Sequence, residues 1–474
     1  MSRRTTSAGA LAVTASLLAA VQAAAGGLTV TVPGDYDTIQ EAVDAVQSDV
    51  DPGEVIVESD GVFDEAVLIQ QSVTLRAGEG FSPTIERNGT VSGPLRISAA
   101  EDEETEVAVL GLTLRLIDGT SVVSVRNESE DELLEVRLEG VTIEGQSVSE
   151  GVAAASGEGD VALFVLESTV EVVGAGAGSP VCLRLEPFGF NLGAALAANR
   201  FRFSRAGGLR VQGGDNGDSV GVLAIANVFE GFESGGFGGG GGIRLAGFNN
   251  PDVNLSSGQM VLFSNLLAGT NVGIELRSTF EHQIALTANN NTIVDSRSDA
   301  IFMVAQDDST MAVNLTNNVV VGSQGSDTLG GSDGVGVNAQ VVGRAVIDLV
   351  NDHNLLFDNA GGDYAGVAMP GPADVFADPL FADPAAGDYR LTFGSPAIDA
   401  GDNDPPGGND GVDLDLGPRI VDGDGDGTAI VDLGAYEASV PDALQVPTLS
   451  TVALLGFATL LAAAAAWRLR RRPV

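Results

Sequence analysis

Between Leu110 and Phe357 the chain returns nine times to one short pattern: a small polar residue or glycine, any residue, then a β-branched, phenylalanine or leucine residue. The units are Gly111-Leu112-Thr113, Gly140-Val141-Thr142, Ser168-Thr169-Val170, Asn199-Arg200-Phe201, Asn227-Val228-Phe229, Asn265-Leu266-Leu267, Asn291-Thr292-Ile293, Asn318-Val319-Val320 and Asn354-Leu355-Leu356. The steps between them are 29, 28, 31, 28, 38, 26, 27 and 36 residues. Within each unit, short runs place apolar residues at every second position, as in Val136-Arg137-Leu138-Glu139 and Ile274-Glu275-Leu276. That period belongs to strands with one buried face. Helical periodicity is almost absent from the body, and Gly, Asn, Asp and Ser between the runs supply turns. At about 3.3 Å per residue, each step holds three short strands and three turns, one coil of a β-helix. Apolar residues of successive coils then stack into one continuous core.

Six successive units begin with Asn. Asn tolerates the left-handed conformation at a sharp corner and hydrogen-bonds neighbouring backbone, so the side chains can stack as a ladder. Turn chemistry alone accounts for them, and the row is read as structural rather than ligand-binding. A second marker follows most units: Gly208-Leu209-Arg210, Gly242-Ile243-Arg244, Gly273-Ile274-Glu275, Ala300-Ile301-Phe302 and Gly336-Val337-Asn338. A small residue before an apolar one fits a corner leading into a core strand. The combination resembles the right-handed parallel β-helix superfamily with the pectate-lyase-like fold. The resemblance implies an all-β solenoid with a short N-terminal capping helix and a C-terminal hydrophobic helix, and it leaves the activity open.

The open ends of such a solenoid need cover. From Tyr36 to Gln47, the residues Ile39, Ala42, Val43 and Val46 fall on one helical face. Asp37 is the expected N-cap, with Gln40 three residues on. The stretch Thr31–Val43 looks like the N-terminal cap of many secreted β-helix proteins. At the far end come Phe381-Ala382-Asp383-Pro384, Asp388-Tyr389-Arg390-Leu391, Gly394–Asp402, Asp413-Leu414-Asp415-Leu416-Gly417-Pro418-Arg419 and Asp432-Leu433-Gly434-Ala435-Tyr436-Glu437. This ordered series is similar to the C-terminal block of bacterial surface proteins of the choice-of-anchor type, which implies a surface protein and no particular reaction.

Both termini read as signals. Ser2-Arg3-Arg4 is a positive start, Ala8–Val21 is apolar, and Ala23-Ala24-Ala25 suits cleavage before Gly26. This is the layout of a secretory signal peptide rather than a membrane span. The other end carries Val446-Pro447-Thr448-Leu449-Ser450, an apolar run from Val452 to Trp467, then Arg468, Arg470, Arg471 and Arg472. The run is slightly short for a spanning helix, and the arginines should stay cytoplasmic. Motif, apolar segment and arginine cluster together resemble the IPTL-type tails handled by exosortase-like enzymes in Gram-negative bacteria. Val446 replaces the usual Ile, and Leu455-Gly456 stands where Trp-Gly is usual. The alternative is a plain membrane anchor. The expected division is therefore signal peptide 1–25, β-helix 26–373, C-terminal block 374–445 and sorting tail 446–474.

Charge narrows the partners. The chain has 65 acidic residues and 23 basic ones, all Arg. Without the two signals, 17 Arg face the 65 acids, a net −48. Such a charge repels polyanions, so nucleic acid is excluded as a partner and an anionic polysaccharide would need a bridging cation. Life in high salt is a bland source of the same bias. Cys182 is the only cysteine, which excludes an intrachain disulfide. The Gly-rich stretch Ser234–Gly242 lacks the Lys and setting of a phosphate loop and reads as an insertion protruding from a coil.

Asp422, Asp424 and Asp426 alternate with glycine and can converge on one hard cation such as a structural Ca²⁺. Leu433 stands where a closing Glu would, and Asp432 is the substitute. Asp402, Asp404, Asp410, Asp413 and Asp415 lie just upstream. A pectate-lyase-type elimination would need carboxylates holding Ca²⁺ beside an Arg or Lys base; only Arg is present, and Arg210, Arg244 and Arg277 form the candidate row. Their bland reading, outward strand residues paired with acids, is the preferred one. Gln306-Asp307-Asp308 looks like one element of polygalacturonases, whose other elements are missing. His282 and His353 read as turn or surface residues. The reading that results is an exported cell-surface β-helix, glycan-binding, adhesive or structural, whose partners are an extracellular polysaccharide or surface protein, an exosortase-like enzyme and, through its tail, the membrane. The alternative is a Ca²⁺-dependent polysaccharide lyase or glycosidase.

Overall fold

The computed structural model describes residues 27–438, apart from 49–50, 90–92, 100–103, 130–131, 175–179, 189, 213–217, 234–240, 247–254 and 326–333. The leader with Ala23, Ala25 and Gly26, the motif Val446–Ser450, the apolar run and the arginines from Arg468 to Arg472 lie outside the described residues. So does most of the Gly-rich insertion. Among the described residues no helix is long and apolar enough to cross a membrane.

The body is a parallel β-helix with three lateral sheets. The first sheet holds twelve strands, from Thr29–Val32 to Val346–Asp352, in one parallel stack. The second is formed by the strands just after each Asn corner, such as Arg200–Ser204, Val228–Glu233 and Thr292–Val294. The third runs through Val181–Glu186, Gly207–Gln212, Ile243–Ala246, Ile274–Ser278, Ile301–Asp307 and Val337–Gly343. Two 14-residue strands, Thr113–Arg126 and Thr142–Ala155, bend through both the second and third sheets. Alternation decides what each position does. Leu163, Val165, Leu196, Phe201, Phe229, Leu209 and Ile243 point inward into one continuous core. Phe201 and Phe229 stack there with ring centroids 4.7 Å apart.

The Asn row is a buried ladder. Asn199, Asn227, Asn265, Asn291, Asn318 and Asn354 are each no more than 2% exposed. Each Oδ1 from Asn227 onward accepts the backbone N–H and the Nδ2–H of the Asn one coil earlier, at 2.9–3.1 Å. Each Nδ2 also donates across the corner to a first-sheet carbonyl, such as Leu196 or Leu262. Ser168 continues the ladder downward, donating its N–H to Asn199 Oδ1 and accepting from Val141 N–H through Oγ. Asp374 ends it upward by accepting Asn354 N–H at 2.8 Å. Corner polar groups that would otherwise be orphaned in the core are thus satisfied.

Three sequence expectations are corrected in detail. The left-handed residue is the one before each Asn: Ala198, Ala226, Ser264, Asn290, Asn317 and His353 have φ of 52–60°. Asn stays at the ladder position because its amide both donates and accepts. Second, Thr142 pairs with Thr169, so Gly140 stands opposite Glu167 and the first two heads are one residue out of register with the rest. Gly111 and Gly140, with φ of 69° and 60°, fill the left-handed position instead. Third, the capping helix runs Ile39–Gln47 with Thr38 as N-cap, not Asp37. Thr38 Oγ1 accepts the Glu41 N–H, Glu65 accepts the Ile39 and Gln40 N–H groups from a neighbouring coil, and the Gln40 side chain bonds Leu68 backbone, so the expected Asp37–Gln40 box does not form. The apolar face Ile39, Ala42, Val43 and Val46 is buried over the first coils as expected.

Replacing Asn291 by Ala would strand the buried N–H of Asn265 and the carbonyl of Leu262. The expected cost is about 2–4 kcal/mol, read as a lower denaturation midpoint; a change under about 0.5 kcal/mol would show the ladder to be dispensable.

Candidate functional site

The C-terminal block, 374–438, does not lid the end of the solenoid. It folds back along the outside of the second sheet. One outward row on that sheet reads Glu86, Arg115, Glu144, Glu171, Arg202, Glu230, Ala268, Val294, Val321, Phe357 in register. The early coils carry ion pairs, with Arg115 held between Glu86 at 3.0 Å and Glu144 at 2.6 Å. After Glu230 the row turns apolar, and there the block docks. Tyr389, Ala435 and Tyr436 pack on Leu266 and Val294, while Ala397 and Leu433 pack on Val319 and Leu355. Gly434 has φ of 94°, and a Cβ there would stand 2.7 Å from Thr292 Oγ1 and 2.9 Å from Val319 Cγ2. The motif from Asp432 to Glu437 is therefore a docking strip, with Leu433, Gly434, Ala435 and Tyr436 set against the coils beneath it.

Arg419 fastens the block from inside. It is 1% exposed. Its Nη1 donates to Glu437 at 2.9 Å, and its Nη2 donates to Ser264 Oγ at 3.0 Å, to the Gly434 carbonyl at 2.8 Å and to the Asn290 carbonyl at 3.2 Å. Asp410, Asp413 and Asp432 are buried around it. Burial pushes Asp410 up to about 6 and Asp432 up to about 7, against the pull of Arg419. Burial likewise raises Glu437 well above its ordinary value, the Arg419 partner notwithstanding. Four buried acids surround one guanidinium, and burial favours their neutral forms against its pull.

The acidic loop lies beside this cluster. Asp399, Asp422 and Asp424 each offer a carboxylate oxygen, all within 4.8 Å of one another. Asp399 was not among the expected ligands. Its carboxylate also accepts the N–H groups of Gly423 and Asp424. Asp422 accepts from Gly425 and Gly427, which curls the loop. Asp426 is exposed and accepts from Thr428 N–H. Asp432 is turned to the backbone amides of Asp399 and Ala438. Three clustered oxygen donors are the chemistry of a hard-cation site.

The arginine row stands elsewhere, on the outer face of the third sheet. Arg184, Arg210 and Arg244 are in register, followed by Glu275 and Phe302. Arg277 belongs to the next outward row, opposite Ala246 and Gln212, and stacks 5.0 Å over Phe302. Arg184 is thus the member that sequence spacing missed, because its coil lacks the Gly marker. Arg184 pairs with Glu150 at 2.9 Å and with Glu186; Arg244 lies 3.4 Å from Glu275. Arg210, between them, makes no ion pair among the described residues. Burial lowers its pKa, as do the flanking Arg244 and Arg184. The expected pairing with acids therefore holds for its neighbours and fails for Arg210. The carboxylates of the acidic loop and this arginine row lie on different faces, so the lyase constellation is not assembled among the described residues. Asp307 sits on a turn with φ of 61°, and Asp308 pairs with Arg344. His353 is a corner residue, whereas His282, expected at a turn or surface, is 2% exposed with its pKa lowered by burial.

A family model described as disaggregatase related matches residues 267–401, the later coils and the start of the block. Among solved structures, the chain is similar to the A-module of mannuronan C-5 epimerase AlgE4 from Azotobacter vinelandii, at 14% identity and a TM-score of 0.30, covering 72% of this chain and 95% of that one. It is also similar to the PL6 family alginate lyase AlyGC, at 16% identity and a TM-score of 0.29, covering 72% of this chain and 53% of that one. At this level of similarity neither enzyme's chemistry transfers to this chain. No curated protein matches its sequence.

A carboxyl whose pKa is raised by folding contributes stability that is full below its ordinary value, 3.8 for Asp, and is lost as pH rises through its folded value, about 6 for Asp410 and about 7 for Asp432. The block's attachment should therefore weaken between pH 4 and pH 7. Limited proteolysis at pH 5 and pH 8 should cut the block faster at pH 8, and Asp432→Asn should shrink the difference. Faster cutting at pH 5 would contradict the assignment.

Proposed function

We propose that the chain is an exported cell-surface β-helix protein that binds an extended glycan along its third sheet. In this reading the leader is cleaved before Gly26, and the tail from Val446 to Arg472 delivers the body to the envelope of a Gram-negative bacterium through an exosortase-like enzyme. The series from Phe381 to Glu437 supports placement with the choice-of-anchor surface proteins.

The observation that carries the glycan reading is Arg210, which makes no ion pair among the described residues, within a row of partly exposed arginines. The second sheet is covered by the C-terminal block in its later coils and neutralised by ion pairs in its earlier ones. The first sheet carries an apolar cluster outside in its middle coils, around Phe164 and Ala195. The third offers Arg184 and Arg244, with side chains 33% and 38% exposed, together with half-buried Arg210, Gln212 and Phe302. Successive coils repeat at about 4.8 Å, so an extended polymer meets the same kind of contact coil after coil. A carboxylate or sulfate of an acidic glycan supplies Arg210 with the partner it lacks. The row itself then replaces the bridging cation expected from net charge, since repulsion from the remaining acids is screened beyond about 8 Å at physiological salt. Binding is favoured over cleavage because, among the described residues, the one group of carboxylates that could hold a metal, Asp399, Asp422 and Asp424, lies away from this row.

With the chain titrated against a panel of acidic and neutral polysaccharides, an acidic member should bind, and Arg210→Ala should weaken it about 10-fold or more, while Arg344→Ala leaves it unchanged. Equal binding by Arg210→Ala would remove the site. New reducing or unsaturated ends in the same mixtures would replace binding by catalysis.

The loop of Asp399, Asp422 and Asp424 is assigned in the same reading to a structural Ca²⁺. Millimolar Ca²⁺ should raise the melting midpoint by a few degrees, and Asp424→Asn should abolish the rise; a melting curve indifferent to Ca²⁺ would discard the assignment.

A further inference from the structure

The charge of the body is not spread evenly. Residues 26–180 carry 31 acids and 6 Arg, and residues 279–445 carry 27 acids and 4 Arg. Residues 181–278, between them, carry 7 acids and 7 Arg. A neutral zone therefore lies between two ends of net −25 and −23. Its bounds are those of the third-sheet strands Val181–Glu186 and Ile274–Ser278, so it contains the arginine row. These strands and the two between them cover three strand spacings, about 14 Å.

Within the zone the charges around the row nearly cancel. Arg184 is ion-paired with Glu150 and Glu186, while Arg244 and Arg277 share Glu275. Among the described residues, these four arginines, Arg210 included, face three glutamates. The one positive charge left over is that of Arg210, and it is bracketed. Glu150 lies 2.9 Å from Arg184 on one side. On the other, Glu275 stands two strand spacings along the row, about 10 Å, beyond Arg244. Both glutamates are among the charges that act on Arg210. The positions beside it are uncharged. Gln212 is the next outward residue of its own strand, with Ala246 opposite, and Ala153 stands opposite Arg184.

We propose that the glycan taken by this face is a heteropolysaccharide in which an acidic sugar is isolated between neutral ones. The proposal rests on the binding role given to Arg210. One carboxylate or sulfate lies on Arg210, and the units on either side meet Gln212 and the alanines. A homopolymer with an acid on every unit is the wrong partner. Its next charges fall beside Glu150 and Glu275, inside the roughly 8 Å over which charges act at physiological salt, and a longer run meets the acidic ends. Nor can those charges take over the outer arginines. An acid that captured Arg184 would leave Glu150, 6% exposed, without its cation, and one that captured Arg244 would leave Glu275, 7% exposed, with Arg277 alone. A buried carboxylate stripped of its partner is costly. The glutamates thus reject dense negative charge, while Arg210 accepts a single one.

Polymers of one backbone and two charge densities test this. Polygalacturonate and polyglucuronate, each fully ionised and each with most carboxyls converted to methyl esters, would be titrated against the full chain at low salt, with affinity expressed per free carboxylate. The sparsely charged form of at least one backbone should bind about 10-fold or more tightly than its fully ionised form, and the gap should narrow at about 0.5 M salt. Glu150→Gln combined with Glu275→Gln should remove the preference, with the strand signal in circular dichroism as in the native chain. Equal or tighter binding of the fully ionised forms by the native chain would overturn the proposal and leave Arg210 as a binding site. A preference unchanged in the double variant would overturn it as well. Failure of all four polymers to bind would instead overturn the glycan reading beneath it.

Discussion

Parallel register is the constraint from which the rest of the molecule follows. In a parallel coil, whatever stands at one position stands about 4.8 Å above its counterpart in the coil below. An inward Leu or Val meets another apolar side chain and the core continues. An inward polar residue meets its own kind, and only a side chain that both donates and accepts can repeat without leaving unsatisfied groups. Asn is such a residue, and the six-membered run from Asn199 to Asn354 uses that property at every step. Ser168 and Asp374 close the series where it stops.

The same register acts on the outer rows, where like charges stacked directly would repel. The second sheet offsets this by placing each arginine between two glutamates, Arg115 between Glu86 and Glu144 and Arg202 between Glu171 and Glu230, with Glu144 opposite Glu171 as the like-charged step. When the row becomes apolar, another part of the chain covers it, fastened by the buried Arg419. The third sheet stacks three cations in a row. Arg184, Arg210 and Arg244 repeat the same sign, and the two outer members are ion-paired with glutamates while the middle one makes no ion pair among the described residues. A cation without an ion partner among the described residues is where a ligand is expected.

The solenoid was legible in the sequence because register repeats its chemistry. The Asn heads and the Gly-Ile-Arg type markers all fall at equivalent corners, and Ile243, Ile274, Ile301 and Val337 do pair in one row. Errors arose where a coil departs from the consensus. Gly111 and Gly140 were matched to the ladder position, although glycine serves the left-handed residue before it. Arg184 was overlooked for want of the preceding Gly. Asp399 was missed beside Asp422 and Asp424 because it is brought there from more than twenty residues upstream by the block's own fold. Alternation also hid the face of the docking strip: nothing local distinguishes Gly434, Ala435 and Tyr436 from an ordinary turn until the later coils are placed beneath them.

Arginine footprinting addresses the central claim most directly. The chain would be treated with phenylglyoxal, with and without an acidic oligosaccharide, and each modified arginine located by mass spectrometry. The account predicts that the oligosaccharide shields Arg210 and its row neighbours Arg184 and Arg244, while exposed Arg344 and Arg390 react as before. Shielding spread evenly over all arginines, or confined to Arg344 and Arg390, would contradict it.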